Sequence, residues 1–229
     1  MNVRVLGDGL LARTTHACLL PYFSVDGEPD ILWVCYDTPV TDDVPDSEWV
    51  LARIAENLPR TDTLILISSQ VPVGFCAEAE KRHPNHTFAV SPENIRRGSP
   101  VDDFCNQSRV IIGAAFRDHR LRELFAPFCQ KILWMSQESA EMVKHALNGY
   151  LAMCIAYANE IGDICDQVNA DRDDVFAGFR SDSRVSQRAP LTPGGPYTGG
   201  TLGRDIHVLS ELGTGPLIPA VNESNRRRL

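Results

Sequence analysis

Apolar positions along the chain follow two rhythms. In the first 135 residues, short β-rich runs recur between stretches of helical spacing: Val3 to Leu6, Ile31 to Tyr36, Thr63 to Ser68, Thr87 to Val90, Arg109 to Ile112 and Lys131 to Met135. Such alternation predicts a largely parallel sheet covered by helices. From Glu138 the rhythm changes. Val143, Ala146, Leu147, Tyr150, Leu151, Cys154, Ile155, Ala158, Ile161, Ile164 and Cys165 recur at three- and four-residue spacing, which predicts one long helix to about Val168. Ala152, Met153, Ala156 and Tyr157 fill the opposite half of its middle turns. The segment from Tyr150 to Ala158 is therefore apolar all round and expected to be buried on several sides, as in a helix shared by two packed units or two subunits. Asp171 to Phe179 reads as a short helix capped by Asn169 or Asp171. Beyond it, a Ser-, Pro- and Gly-rich loop from Arg180 to Gly203 precedes a helix around Asp205 to Leu212 and an irregular tail.

Composition narrows the class. Of 229 residues, 43% are hydrophobic and 23% charged, ordinary for a globular fold and too apolar for a disordered one. No apolar run approaches the roughly 20 residues of a membrane helix, and Met1 to Gly7 lacks a signal peptide's pattern, so a cytoplasmic protein is expected. Seven scattered cysteines, without a Cys-x-x-Cys pair or histidines at zinc-ligand spacing, read as reduced core residues and argue against a metal site. A net charge of −8 argues against nucleic acid and anionic membranes as partners, and Arg226 to Arg228 is too short a basic run to alter that.

The N-terminal strand runs straight into Gly7-Asp8-Gly9-Leu10-Leu11-Ala12. A strand, a glycine turn and a helix start form the context of a dinucleotide fingerprint. Gly7 permits the tight turn, Gly9 lets a pyrophosphate approach the backbone, and Ala12 takes the third small position. A plain strand-to-helix turn accounts for the same residues. The ribose-binding acid that should end a second strand is not evident. Asp26 is a remnant candidate on a stub strand, but too few residues follow it for another crossover helix, so the first helix is expected to lead directly to the strand at Ile31. The fold class that follows is α/β, a reduced Rossmann-like sheet over residues 1–135 followed by a long-helix, α-helical domain over 136–229.

Several further stretches, in order along nearly the whole chain, resemble the UDP-glucose and GDP-mannose 6-dehydrogenases. Val34-Cys35-Tyr36-Asp37-Thr38-Pro39-Val40 is similar to a strand end and Thr-Pro turn at the cofactor. Ser69-Gln70-Val71-Pro72-Val73-Gly74 is similar to the later Ser-Thr-Val-Pro-x-Gly turn, with Gln70 in place of Thr. Ser91-Pro92-Glu93-Asn94-Ile95-Arg96-Arg97-Gly98 resembles the segment bearing a catalytic Glu and part of the sugar site, and Arg109 to Gly113 a following strand. On the long helix, Lys144 and Asn148 match a Lys-x-x-x-Asn motif and lie four apart on one face; Asn159-Glu160-Ile161 matches the motif that follows. Asp182-Ser183-Arg184 resembles an Asp-x-Arg motif. Pro196 to Asp205 resembles the catalytic loop, with Thr201 where that family has its nucleophilic cysteine and Arg204 where it has a lysine.

The resemblance implies NAD as cofactor, held by Gly7, Gly9, Leu10, Leu11, Thr38, Pro39 and Gln70. It implies catalytic positions at Glu93, Lys144, Asn148, Thr201 and Asp205, and substrate contacts from Asn94, Arg96, Arg184 and Arg204. It also implies a homodimer paired through the long helix. A Thr hydroxyl does not replace a thiolate without a strong base beside it, so thioester chemistry is not expected at Thr201. A single alcohol-to-carbonyl step or redox epimerisation needs less. Asp205, Lys144 and Asn148 would supply the acceptor for the hydroxyl proton and the groups that stabilise the oxyanion, with a desolvated Lys144 serving as base or polarising cation, and Glu93 would hold a water or substrate hydroxyl. The chain ends soon after Asp205, leaving no room for the family's C-terminal nucleotide-sugar domain; a smaller sugar or nucleoside-like alcohol, or a partner completing the site, is expected. Two other readings fit the same residues: a pseudoenzyme or regulatory partner, and a non-redox isomerase or lyase using Lys144 and Asp205 for proton transfer.

Overall fold

The computed structural model describes residues 1–41, 44–59, 63–93, 95, 98–198 and 200–229. The chain separates into two compact units, one of Met1–Thr41 with Pro45–Lys144 and one made chiefly of His145–Leu229.

In chain order the first unit's elements begin with β1 (Val3–Leu6), α1 (Leu10–Leu19), β2 (Ile31–Val34), the two-residue strands β3 (Val40–Thr41) and β4 (Val44–Pro45), and α2 (Ser47–Asn57). They continue with β5 (Leu64–Ile67), α3 (Phe75–Arg82), β6 (Thr87–Val90), α4 (Pro100–Cys105), β7 (Val110–Ala114), α5 (His119–Phe125) and β8 (Ile132–Met135). The main sheet runs β1-β2-β5-β6-β7-β8. Its pairs are parallel except β6 with β7, which is antiparallel.

Alternate side chains of the central strands enter different cores, which is why these strands read as unbroken apolar runs. Ile31, Trp33, Leu64 and Leu66 share one core with Leu19, Phe104, Leu121 and Phe125. Leu32, Val34, Ile65 and Ile67 share the other with Val50, Ile54, Phe75 and Phe88. Each fully buried aliphatic side chain contributes about 1.5–3 kcal/mol.

Between α1 and β2 the structure forms no strand among its described residues; Ser24 makes only an isolated bridge to Asn2, and Asp26 beyond it is exposed. α1 therefore leads directly to β2, as expected, and β1 closes one edge of the sheet. In a doubly wound dinucleotide fold the order 3-2-1-4-5-6 puts two more strands beyond the first.

α6 (Gln137–Val168) begins in the first unit and carries on into the second, which adds α7 (Arg172–Ser181), α8 (Gly200–Leu212) and α9 (Leu217–Arg226). Asp171 caps α7 by accepting from the amides of Asp173 and Asp174, while Asn169 takes the left-handed conformation that ends α6. One expectation needs correction. The last helices are more extensive than the sequence indicates: α8 starts at Gly200, and the tail is the helix α9. Pro216 stands at the N-cap and Pro219 in the first turn, where a missing amide hydrogen breaks no intrahelical bond, so neither proline interrupts the helix. The middle of α6 is buried on two sides, as its apolar circumference predicts. Ala152 and Ala156 pack with Tyr197, Ile206 and Val221, and Cys154 and Ala158 with Phe176 and Leu191. Tyr150, Tyr157, Ile164 and Val168 remain exposed.

Candidate active site

The glycine turn has the geometry a cofactor cradle requires. Gly7 adopts φ +126°, and a Cβ there would lie 2.6 Å from the Cys35 carbonyl oxygen and 3.0 Å from the Ala12 methyl, so both small residues are dictated by space. Gly9 is the N-cap of α1 and offers no side chain to its first amides, which leaves the Leu10 and Leu11 end of the helix suited to an anion. Thr38, buried just after β2, donates its hydroxyl hydrogen to the Gln70 carbonyl at 2.7 Å, and so ties the turn after β2 to the turn after β5. Beneath them the Trp33 indole donates to Ser68 Oγ at 2.9 Å, and that hydroxyl donates to the Ser91 carbonyl at 2.6 Å. Gly7, Gly9, Thr38, exposed Pro39 and Gln70 thus gather at the carboxyl ends of β1, β2 and β5, where open α/β sheets bind ligands. The residues present fit the pyrophosphate and nicotinamide end of a dinucleotide.

After β6 the first unit presents Glu93, buried at 7% exposure. Burial pushes its carboxyl up to about 7, with the Lys144 charge and a Gln107 hydrogen bond pulling the other way. Lys144 Nζ donates to the Glu93 backbone carbonyl at 2.9 Å. One turn earlier on α6, Glu141 accepts the Gly74 amide at 2.6 Å and the Cys76 amide at 2.9 Å, filling the amino end of α3. Burial raises that carboxyl while the two amides oppose the rise. Asn94 and Arg96, proposed for substrate on sequence, lie outside the described residues.

The second unit holds a buried polar triad. Asn148 Nδ2 donates to one Asp205 oxygen at 2.5 Å, and His145 Nδ1 stands 2.6 Å from the other. None of the three exceeds 5% exposure. Asp205 joins α8 to α6 with both oxygens engaged, an arrangement suited to positioning. His145 has no place in the sequence-derived set; its i, i+3 spacing to Asn148, which puts both on one helical face, was the available signal. Thr201, one turn before Asp205 on α8, is exposed, and Arg204 is partly buried. Arg184 lies at the surface, bonded to Asp182 at 2.6 and 2.9 Å. It edges a cleft of about 230 Å³ lined also by Tyr150, Met153, Tyr157, Phe179 and Leu191.

Residues 23–129 match the NAD binding domain of the UDP-glucose/GDP-mannose dehydrogenase family, and residues 138–227 its central domain. UDP-glucose 6-dehydrogenase YwqF of Bacillus subtilis is 32% identical over 198 residues, 81% of this chain and 44% of that protein. A UDP-glucose 6-dehydrogenase of Pseudomonas aeruginosa is 33% identical over 217 residues, 86% of this chain and 47% of its own length. The chain spans about half the length of these relatives. Among solved structures, a UDP-glucose dehydrogenase from Pyrobaculum islandicum superposes with TM-score 0.81 at 22% identity, covering 99% of this chain and 68% of that one. A 3-hydroxyisobutyrate dehydrogenase from Mycobacterium tuberculosis shares the fold at TM-score 0.73 and 14% identity, covering 97% of this chain and 91% of that one. By its matched domains, its relatives and its fold, the chain belongs to the UDP-glucose/GDP-mannose dehydrogenase family.

Proposed function

We propose that the chain oxidises a sugar or nucleoside-like alcohol to the carbonyl with NAD, in one reversible step that forms no thioester. The observation that carries this reading is the buried Glu93 carboxyl, lifted to about 7 beside Lys144. A group titrating near working pH serves well as proton acceptor and donor. Glu93 takes the hydroxyl proton, and Lys144 steadies the charge developing on oxygen. The backbone of Gly7, Gly9, Leu10 and Leu11, with Thr38, Pro39 and Gln70, holds the cofactor. NAD supplies the hydride acceptor, so each alcohol oxidised yields one carbonyl, one proton and one reduced nicotinamide. Asp205, with both oxygens bonded, positions α8, the helix that bears Thr201 and Arg204. Arg184, Asn94 and Arg96 are the proposed substrate contacts.

The working form is proposed to be a cytoplasmic homodimer. Seven free cysteines suit a reducing compartment, and the exposed aromatic flank of Tyr150, Tyr157 and Phe179 suits a second copy. No helix among the described residues is long and apolar enough to cross a membrane. A regulatory role without turnover is the reading favoured by the lack of a strand between α1 and β2 among the described residues.

Thermal unfolding with NAD, NADH and NADP, followed by an alcohol screen read as reduced nicotinamide, separates these. NAD is expected to stabilise the fold, by about 2.7 kcal/mol at a hundredfold excess over its Kd. Turnover should stop at one reduced nicotinamide per alcohol. Two per substrate would overturn the single-step reading, and NAD binding without turnover on any alcohol would favour the regulatory one.

A further inference from the structure

The glycine turn already has an anion lying against it. A Cβ built on Gly9 would fall 2.2 Å from Asp37 Oδ2, 2.6 Å from Cγ and 2.9 Å from Oδ1. The whole carboxylate therefore rests on the bare α-carbon of the residue whose missing side chain lets a pyrophosphate reach the backbone. Asp37 follows β2, the strand paired with β1, so the two residues stand at neighbouring carboxyl ends. The position also faces the positive end of α1, to which a negative group is attracted. Asp8, the middle residue of the turn and the sequence neighbour of Gly9, is a second exposed acid. Among the described residues, no hydrogen bond or ion pair restrains the Asp37 carboxylate, which is exposed and free to turn.

We propose that Asp37 gates the dinucleotide site: its carboxylate holds the approach to Gly9, and a pyrophosphate settles there only when that side chain rotates away. The inference rests on the NAD reading and deepens it. Gly9 confers access on the turn, and Asp37 sets how readily that access is used. The gate selects against charge as well as bulk, because a carboxylate left near a pyrophosphate repels it even after rotating. At about 4 Å and the dielectric of a protein surface, like charges weaken binding by tenfold or more.

The test is calorimetric titration of NAD into the full chain and into Asp37→Ala, Asp37→Asn and Asp37→Glu, at low and high salt. Thermal midpoints without ligand check that the variants fold, as substitution of an exposed, unrestrained side chain should allow. Asp37→Ala is expected to tighten NAD binding roughly tenfold. Asp37→Asn, neutral at the same size, should recover most of that gain, and Asp37→Glu none. The difference between the parent chain and Asp37→Asn should shrink as salt rises. Equal affinities in all four proteins would remove the gate and leave NAD binding intact. Weaker binding by Asp37→Ala and Asp37→Asn would overturn the gate by making Asp37 a cofactor contact. Binding by none of the four would remove both the gate and the NAD reading.

Discussion

Burial makes Glu93 hold its proton more tightly in the folded chain than in the unfolded one, where the ordinary value is 4.5. The sign follows from linkage. Between that value and about 7 the folded state binds more protons, so stability is greatest below the lower limit and falls as pH rises towards the upper. Glu93→Gln cannot ionise and escapes this loss. Urea unfolding of both proteins across this range should show the variant gaining on the parent by on the order of 3 kcal/mol, and a constant difference would contradict the burial argument. The motif resemblance identified Glu93, but the lifted carboxyl depends on the neighbours that exclude water from it. The same holds at Asp205. Its place in a loop motif was readable, whereas its bond to His145 depends on how α8 packs against α6.

At the scale of elements, the strands from Val3 to Met135 and the helix from Glu138 to Val168 were legible because both faces of the central strands, and much of the helix circumference, are apolar. The tail helix was not legible, because Pro216 and Pro219 stand at its start, where they cost it no hydrogen bond. Glu141 was not legible either: in the sequence it lies one turn before Lys144 on the long helix, yet in the fold it closes the amino end of α3 from another element. Glu141→Ala strands two amides and removes a charge-assisted pair of bonds, so a loss of about 2–4 kcal/mol is expected. Glu141→Gln keeps an acceptor and should lose less. Denaturant midpoints read this, and equal stability of parent and alanine variant would show the cap to be dispensable.

For the molecule as a whole, the all-round apolar stretch of α6 marked a helix with more than one neighbour, and a single chain leaves part of that surface open at Tyr150 and Tyr157. If a second copy covers it, Tyr157→Glu should shift the mass measured by light scattering at micromolar concentration from two chains to one, with circular dichroism unchanged. A parent protein already monomeric there would exclude the homodimer. The sheet's edge at β1 was partly legible too: the spacing between Pro21 and Ile31 left too little chain for another strand and helix, and the fold makes neither among the described residues.

The division into two units carries a spectroscopic consequence. All three indoles, Trp33, Trp49 and Trp134, belong to the first unit. Trp33 is sealed in the core with its N–H bonded to Ser68, and Trp49 lies edge-on to Tyr36 with the Arg53 guanidinium 5.2 Å above its ring. Indole emission therefore reports the melting of the first unit alone, and helical dichroism lost outside that transition belongs to the second. The chain comes with its own label for asking whether the cofactor domain and the helical domain unfold as one.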